Sequence, residues 1–416
     1  MKSTKQINKK ILVFGSLNTD YVYTLDHIVA DGETTGCTKL EVFPGGKGLN
    51  QAVAASRAGG KVYFAGNVGN DGNLLINTLE ESGVNTSLLR TLNEKSGHAI
   101  IQVDKNGENA IIVHGGTNLK NDVGYIDSVL SRFSEGDIIL LQNEINGLAE
   151  IISRASKKGM AVVLNPSPIK ENISKIDFNC ITWLVVNENE LKTVFGQKSA
   201  QAAFEYAGKA YPKIKIVATL GKWGAMCFDG KSSVHKSGYR VNAVDTTGAG
   251  DTFLGYFVAG IAGDKPIEET LQLAVAASAI SVTEKGASSS VPNVDFVLSQ
   301  IGRMKSTDNQ REKMLFDAAR EYIKNNLVSV TAKTLAENLN CTPRYLSSFI
   351  KKYTGEPLSK FVLDERLEYA AELLSTTDKS VSEVAYALGY ENESFFRRKF
   401  KEKFGVSPKK YTSKYN

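Results

Sequence analysis

Asn242–Phe253 reads NAVDTTGAGDTF, and its centre, Gly248-Ala249-Gly250-Asp251, decides the fold of most of the chain. Two glycines around one small residue let a backbone approach another group with no Cβ in between. The residues that follow, Thr252–Ala262 (TFLGYFVAGIA), are apolar enough for a buried helix. A glycine-rich turn opening such a helix offers unpaired N–H groups and the positive end of a dipole, which suits phosphate. Asp251 is the odd member. It reads either as a helix cap or as a carboxylate placed there for chemistry.

Working outward towards the N-terminus, the next glycine cluster is Pro44–Ala52, PGGKGLNQA. It is not a Walker-type phosphate loop, because the Gly four residues before GK and the Ser or Thr after it are missing. Its glycines suit backbone contact with a ligand, and Asn50 would open the helix NQAVAASRAG; a Gly-Gly turn capped by Asn is the purely structural alternative.

Taken together, in this order and about 200 residues apart, the two stretches resemble the signatures of ribokinase-like (PfkB-family) sugar kinases, from about Ile11 to Pro292. The resemblance implies an α/β fold, a doubly wound and mainly parallel sheet with a small β lid. It implies transfer of a phosphoryl group from ATP to a sugar hydroxyl. Asp251 would be the base, and the amides around Gly248, Ala249 and Gly250 would stabilise the transferred charge. The sugar would be held by Asn18, Asp20, Gly45, Gly46, Lys47, Asn50 and Glu144, and ribose or a near relative fits these residues best, with nucleosides and other sugars open.

The rest of this region agrees with that fold. Ile11–Phe14 is a continuous apolar run, the mark of a strand buried on both faces, and GSLNTD after it places Asn18 and Asp20 at its carboxyl end. His98–Val103 and Asn109–His114 are β-rich and flank an Asn106-Gly107 hairpin signal. In the family such strands form the lid, often shared between two subunits, so a homodimer is implied. From Asp137 strands and helices alternate: Asp137–Gln142, Leu148–Lys158, Ala161–Leu164, Trp183–Val186 and Ile214–Thr219. Glu144, Asn187, Gly221 and Gly224 each follow a strand, and loops at that edge converge on one crevice.

Further roles follow from the resemblance. Asn187-Glu188-Asn189-Glu190 matches the family's NxxE motif, which acts on Mg²⁺-bound phosphates through water, though Asn187 also reads as a helix cap. Thr219, Gly221 and Gly224 resemble the nucleotide loop. Lys285–Ala287 with Ser288–Ser290 resembles the segment that closes over the adenine. Asp245, Thr247, Ser281, Glu284, Gly286 and Ser290 would hold a monovalent cation such as K⁺. Val275 stands where ribokinases often place a polar side chain facing the purine.

The last quarter differs. Arg303–Arg311, RMKSTDNQR, is polar and aperiodic and reads as a linker between a kinase domain (1–302) and a DNA-binding domain (312–416). Thr331–Leu339 and Pro343–Tyr353 read as helix–turn–helix, Ser359–Leu374 as one amphipathic helix, and Ser380–Leu388 with Glu393–Phe404 as a second unit. From Met314 to Tyr411 this doubled unit resembles the AraC-type DNA-binding domain, all-α with two helix-turn-helix units. The match is strongest from Val384 to Lys401. Leu346, Phe349, Ile350, Phe396 and Phe400 would pack inwards. Arg344, Ser347, Ser348, Lys351, Glu393, Ser394, Phe395 and Arg398 would face bases in successive major grooves of double-stranded DNA.

Charge agrees with this division. Residues 301–416 carry 21 Lys and Arg against 15 Asp and Glu, while the rest is near balance at 29 against 30. A basic C-terminal part suits a polyanion. The four cysteines and four histidines are scattered, which argues against a disulfide frame or zinc site and for a reducing compartment. The basic N-terminal start precedes too short an apolar run for a signal peptide, and Leu271–Val282 is too short to cross a bilayer, so a cytoplasmic protein without a membrane partner is expected. Two readings stand: a kinase that also regulates transcription, or a sugar-sensing transcription factor whose kinase fold binds without turnover. An intact GAGD and NxxE favour the first.

Overall fold

The computed structural model describes residues 9–415 apart from positions 199, 231, 378 and 391, and describes only the backbone at 201, 308–313 and 413–415. The basic start read against a signal peptide, Met1–Asn8, lies outside the described residues. The chain forms two compact units, one of residues 1–197 and 203–307 and one of residues 308–416 together with the short stretch Lys198–Ala202.

The first unit begins with β1 (Lys10–Phe14), β2 (Asn18–Thr24), β3 (Lys39–Gly45), α1 (Lys47–Arg57), β4 (Lys61–Gly69), α2 (Asn73–Glu81) and β5 (Asn85–Leu92). It continues through β6 (Gly97–Val103), β7 (Asn109–His114), α3 (Val123–Leu130), β8 (Ile138–Gln142), α4 (Leu148–Lys157) and β9 (Ala161–Asn165). Then come β10 (Trp183–Asn187), α5 (Glu188–Phe195), α6 (Ala200–Ala210), β11 (Lys215–Thr219), β12 (Ala225–Phe228) and β13 (Ser233–Lys236). Three helices close it: α7 (Ala249–Ala262), α8 (Ile267–Ser281) and α9 (Val294–Ile301).

Nine strands form one sheet in the order β13-β12-β11-β10-β9-β8-β1-β4-β5. It is parallel from β11 to β5, and β12 and β13 join antiparallel at one edge. The apolar runs Ile11–Phe14 and Ile139–Leu141 are fully buried, as strands covered on both faces require. Every parallel strand ends towards the same edge, where open α/β sheets bind their ligands.

A second sheet, β3-β2-β6-β7, is the small lid. Expectation and structure differ here: Asn18 and Asp20, read as following the carboxyl end of β1, open a strand of their own, β2, which pairs with β3 and β6 from its first residue. NTDYVYT is rich in Thr, Tyr and Val, which favours a strand over a turn. A second difference concerns Asn50. Helix α1 starts at Lys47, so Asn50 sits inside its first turn and Gly46, at φ 90°, takes the cap position.

The second unit is entirely helical: α10 (Asp308–Asn325), α11 (Ala332–Asn338), α12 (Pro343–Thr354), α13 (Leu358–Thr376), α14 (Val381–Ala387), α15 (Glu393–Phe404) and α16 (Pro408–Tyr415). The expected linker is therefore shorter than its composition suggests. Arg240 and Thr307 donate N–H bonds to Lys305 and Gly238 within the first unit, and from Asp308 the polar run is already helix. Thr342 caps α12 through the Tyr345 N–H at 2.8 Å with Pro343 first in the helix, and Ser380 and Glu383 form a capping box on α14. Leu346, Phe349, Ile350, Phe396 and Phe400 all lie in the core of this unit, on the inward faces read from the sequence.

Candidate active site and nucleic-acid interface

Helices α1 and α7 position the centre of the first unit. Gly255 of α7 lies so close to Ala54 and Ala55 of α1 that a Cβ on it would stand 2.6 Å from the Ala55 N atom. This contact brings the first turns of the two helices together. Asp251, buried in the first turn of α7, accepts a 2.8 Å hydrogen bond from Gln51 Nε2 on Oδ1, and Asn50 Nδ2 lies 3.4 Å from Oδ2. Gln51 is held in turn by Gln142 Nε2 at 2.6 Å. The cap of α7 is Gly248, whose φ of 73° suits glycine and whose missing Cβ leaves room for Ala287. Ala249 and Gly250 follow in the same turn, so the dipole's positive end lies beside the carboxylate.

A second cluster faces this one from the lid side. Glu144, after β8, accepts hydrogen bonds from the Ser16 hydroxyl and, at 3.1 Å, from the Lys47 N–H. Burial, reinforced by the Glu144 charge, pushes the Asp20 carboxyl up to about 7. Gly45 lies directly against that carboxylate. Asp251 raises the Lys47 ammonium above its ordinary range against the cost of burial, with Glu144 and Glu190 adding to it. Asn118, almost fully buried, donates to Asn18 Oδ1 at 2.8 Å and to Leu17 O, while its own Oδ1 accepts from the Leu17 N–H. Asn50 Oδ1 is buried without a protein partner and so remains available to a ligand.

The expected nucleotide residues surround a separate cleft of about 670 Å³, lined by Asn187, Glu190, Thr219, Gly221, Lys222 and Trp223 among others. Gly224 closes the loop behind it, its carbonyl accepting from the Leu220 N–H. Asn187 and Glu190 form a capping box on α5: Asn187 Oδ1 accepts from the Glu190 N–H and Glu190 Oε2 from the Asn187 N–H. Val275 is buried in the apolar core and is not among the residues that line this cleft.

Asp245 accepts from the N–H groups of Thr247 and Gly286, each at 2.9 Å. Burial opposes its charge, but these bonds, the Thr247 hydroxyl and Lys285 outweigh it and hold the carboxyl below its ordinary range. Ser281 and Ser290 are buried nearby in sequence with their hydroxyls on Ser278 O and Ala287 O, and Glu284 is exposed. Among the described residues no cluster of three or more His, Cys, Asp or Glu forms a metal site. No described helix is long and apolar enough to cross a membrane.

Sequence reasoning missed Gln51, Ser16 and Asn118. Gln51 was within reach, since it stands inside PGGKGLNQA beside Asn50. The other two act on partners 128 and 100 residues away, and nothing local marks them.

In the helical unit Arg344, Ser348, Lys351, Ser394, Phe395 and Arg398 are exposed and Ser347 is half-buried, as outward faces of α12 and α15 require. Glu393 is less free than expected: it accepts from the Ser382 hydroxyl at 2.8 Å and from Arg397 Nε at 2.6 Å. Arg398 packs over the Phe395 ring at 5.5 Å.

Comparison with known proteins agrees with both units. Residues 8–294 match the model of the pfkB family carbohydrate kinases, and residues 335–414 match a helix-turn-helix domain. Ribokinase of Haemophilus influenzae is 36% identical over 302 residues, covering 69% of this chain and 96% of that protein. Deoxyribokinase of Salmonella typhimurium is 32% identical over 297 residues, covering 68% and 96%. The structure of Arabidopsis thaliana ribokinase complexed with ribose and ATP superposes with a TM-score of 0.63 at 29% identity, over 70% of this chain and 98% of that one. Its sheet, its signatures and this match agree: the chain belongs to the pfkB family of carbohydrate kinases, as a ribokinase-like phosphotransferase fused to an AraC-type helix-turn-helix domain.

Proposed function

We propose that the chain phosphorylates ribose or a close relative with ATP and that its helical unit carries this chemistry's output to DNA. The observation that carries the reading is Asp251, fixed by Gln51 and Asn50 at the start of α7 and facing the cluster of Asp20, Lys47 and Glu144. A sugar held by Asn18, Asp20, Gly45, Gly46, Asn50 and Glu144 brings one hydroxyl to Asp251, which takes its proton as the oxygen attacks the γ-phosphorus. The amides of Gly248–Gly250 meet the charge on the transferred group, and such transfer depends mainly on positioning and electrostatics. The nucleotide lies along Thr219, Gly221 and Gly224 with the 285–290 segment over its base.

The residues present fit the two cations of the family. Asn187 and Glu190 use lone pairs in their capping box, yet Asn187 stays exposed and Glu190 half-buried at the edge of the cleft, which suits a hold on Mg²⁺ through water. When bound, Mg²⁺ supplies charge neutralisation on the phosphates. Asp245, kept ionised by its N–H partners, suits a monovalent cation together with Thr247, Ser281, Glu284, Gly286 and Ser290. The assay is ATP-dependent phosphorylation of ribose, deoxyribose and a panel of other sugars, with operator binding measured with and without each. Absence of turnover on every sugar, combined with thermal stabilisation by one, would favour the sensor reading.

The pH profile tests the sugar site. Asp20 accepts two sugar hydroxyls only when ionised, and its carboxyl lies at about 7. Sugar affinity therefore strengthens as pH rises through about 7 and weakens by about tenfold per unit below it. Glu144→Gln removes the neighbouring charge and shifts this inflection to lower pH, whatever it costs in affinity. Calorimetric titration with ribose across the range reads both.

The lid suits a homodimer. Val42, Ile100 and Ile112 line one face of it and are 46%, 38% and 64% exposed, an apolar surface that a second copy would cover. Ile112→Lys is expected to convert a dimer into monomer in sedimentation and to weaken sugar binding. An unchanged sedimentation coefficient would remove the lid as the interface.

A further inference from the structure

One segment is tied to α1 in a way the reaction does not require. Arg57, in the last turn of α1, places Nη1 3.0 Å from Ser288 O, 3.5 Å from Ser289 O and 2.7 Å from Val291 O. Tyr256, buried in α7, donates its hydroxyl to Pro292 O at 2.6 Å. The same segment begins with the Gly286 N–H on Asp245 and passes Ala287 into the space left by Gly248. One end is thus held beside the cap of α7 and the other by Arg57 and Tyr256. Of these partners Ser288 and Val291 are buried, so their carbonyls have little water to turn to if the guanidinium is lost.

Helix α1 carries Lys47, Asn50 and Gln51 at its start and Arg57 near its end, about six to ten residues and roughly 9–15 Å further along. The first group stands in the sugar site. Arg57 instead meets the residues assigned above to the nucleotide's base.

We propose that Arg57, assisted by Tyr256, is a positioning residue for nucleotide binding, clamping the 286–292 segment against α1 and α7. The proposal rests on the reading of that segment under the proposed function. It predicts a separation of effects, because the sugar residues at the other end of α1 keep their own partners: Gln51 on Gln142 and Asp251, and the Lys47 N–H on Glu144.

The test uses the full chain, with a non-hydrolysable ATP analogue and ribose titrated separately by calorimetry and KM measured for ATP. Arg57→Gln is expected to weaken the analogue by about tenfold and raise KM for ATP alike, with kcat and ribose affinity within about twofold. Arg57→Lys, which keeps a charged donor, should recover most of the loss, and Tyr256→Phe should move in the same direction by less. An analogue affinity unchanged in both Arg57→Gln and Tyr256→Phe would overturn the proposal, as would equal weakening of ribose and analogue, which marks general loosening. Wild-type protein that binds ribose but no analogue would overturn the nucleotide reading itself, and the proposal with it.

Discussion

Asp251→Asn is expected to lower kcat for sugar phosphorylation by about 10²–10⁴-fold, the range for loss of a general base, while ribose and nucleotide still bind. The substitution keeps shape and removes only the charge and proton-accepting power. The amide oxygen can keep the 2.8 Å bond from Gln51 Nε2, and its NH2 replaces only the oxygen that Asn50 Nδ2 meets at 3.4 Å, so the geometry of the α7 start is largely retained. Lys47 loses the first of the charges that raise its pKa, and that should appear as a modest rise in KM. A coupled ADP-release assay reads kcat and calorimetry reads binding. Full activity in the variant would exclude Asp251 as the base. Turnover in wild type that disappears in the variant makes the helical unit the regulatory partner of a working kinase.

Gly255→Leu is expected to abolish activity from a position that touches no ligand. A side chain there must displace Ala54 and Ala55, and no rotamer escapes because the nearest atoms include the α1 backbone. Overpacking of this kind costs about 1–3 kcal/mol and shifts the backbone. Here the shift moves α1 along α7 and takes Gln51 and Asn50 away from Asp251, so turnover should fall far more than stability. Gly302→Ala, a helix-terminal glycine with nothing near its Cβ direction, serves as the control and should leave melting temperature and kcat unchanged. Thermal unfolding with parallel kinetics separates the two effects. Near-normal kcat in a folded Gly255→Leu protein would show that the α1–α7 approach does not set the site.

Local physics made much of this protein legible in its sequence. Apolar runs such as Ile11–Phe14 mark buried strands, GAGD before TFLGYFVAGIA marks a glycine-rich turn opening a buried helix, and Asn187 marks a helix cap. Each depends on residues within one turn or one strand of each other, and each stands as read. The same holds for the helix pairs after Asp308, whose caps and inward aromatic residues follow a short-range pattern. What the tertiary structure alone decided is which of these pieces meet. Asn18 and Asp20 became lid-strand residues because β2 found β3 and β6, a pairing that its few residues do not specify by themselves. Val275 went to the core because α8 packs on α7. Gln51 reaches Asp251 across 200 residues, Asn118 reaches Asn18 across 100, and Arg57 reaches Val291 across 234. Such contacts depend on how closely two helices or a loop and a helix approach. That distance is set by side-chain volumes on both partners at once, as at Gly255 and Ala54, and so belongs to the packed fold and not to any one stretch of chain.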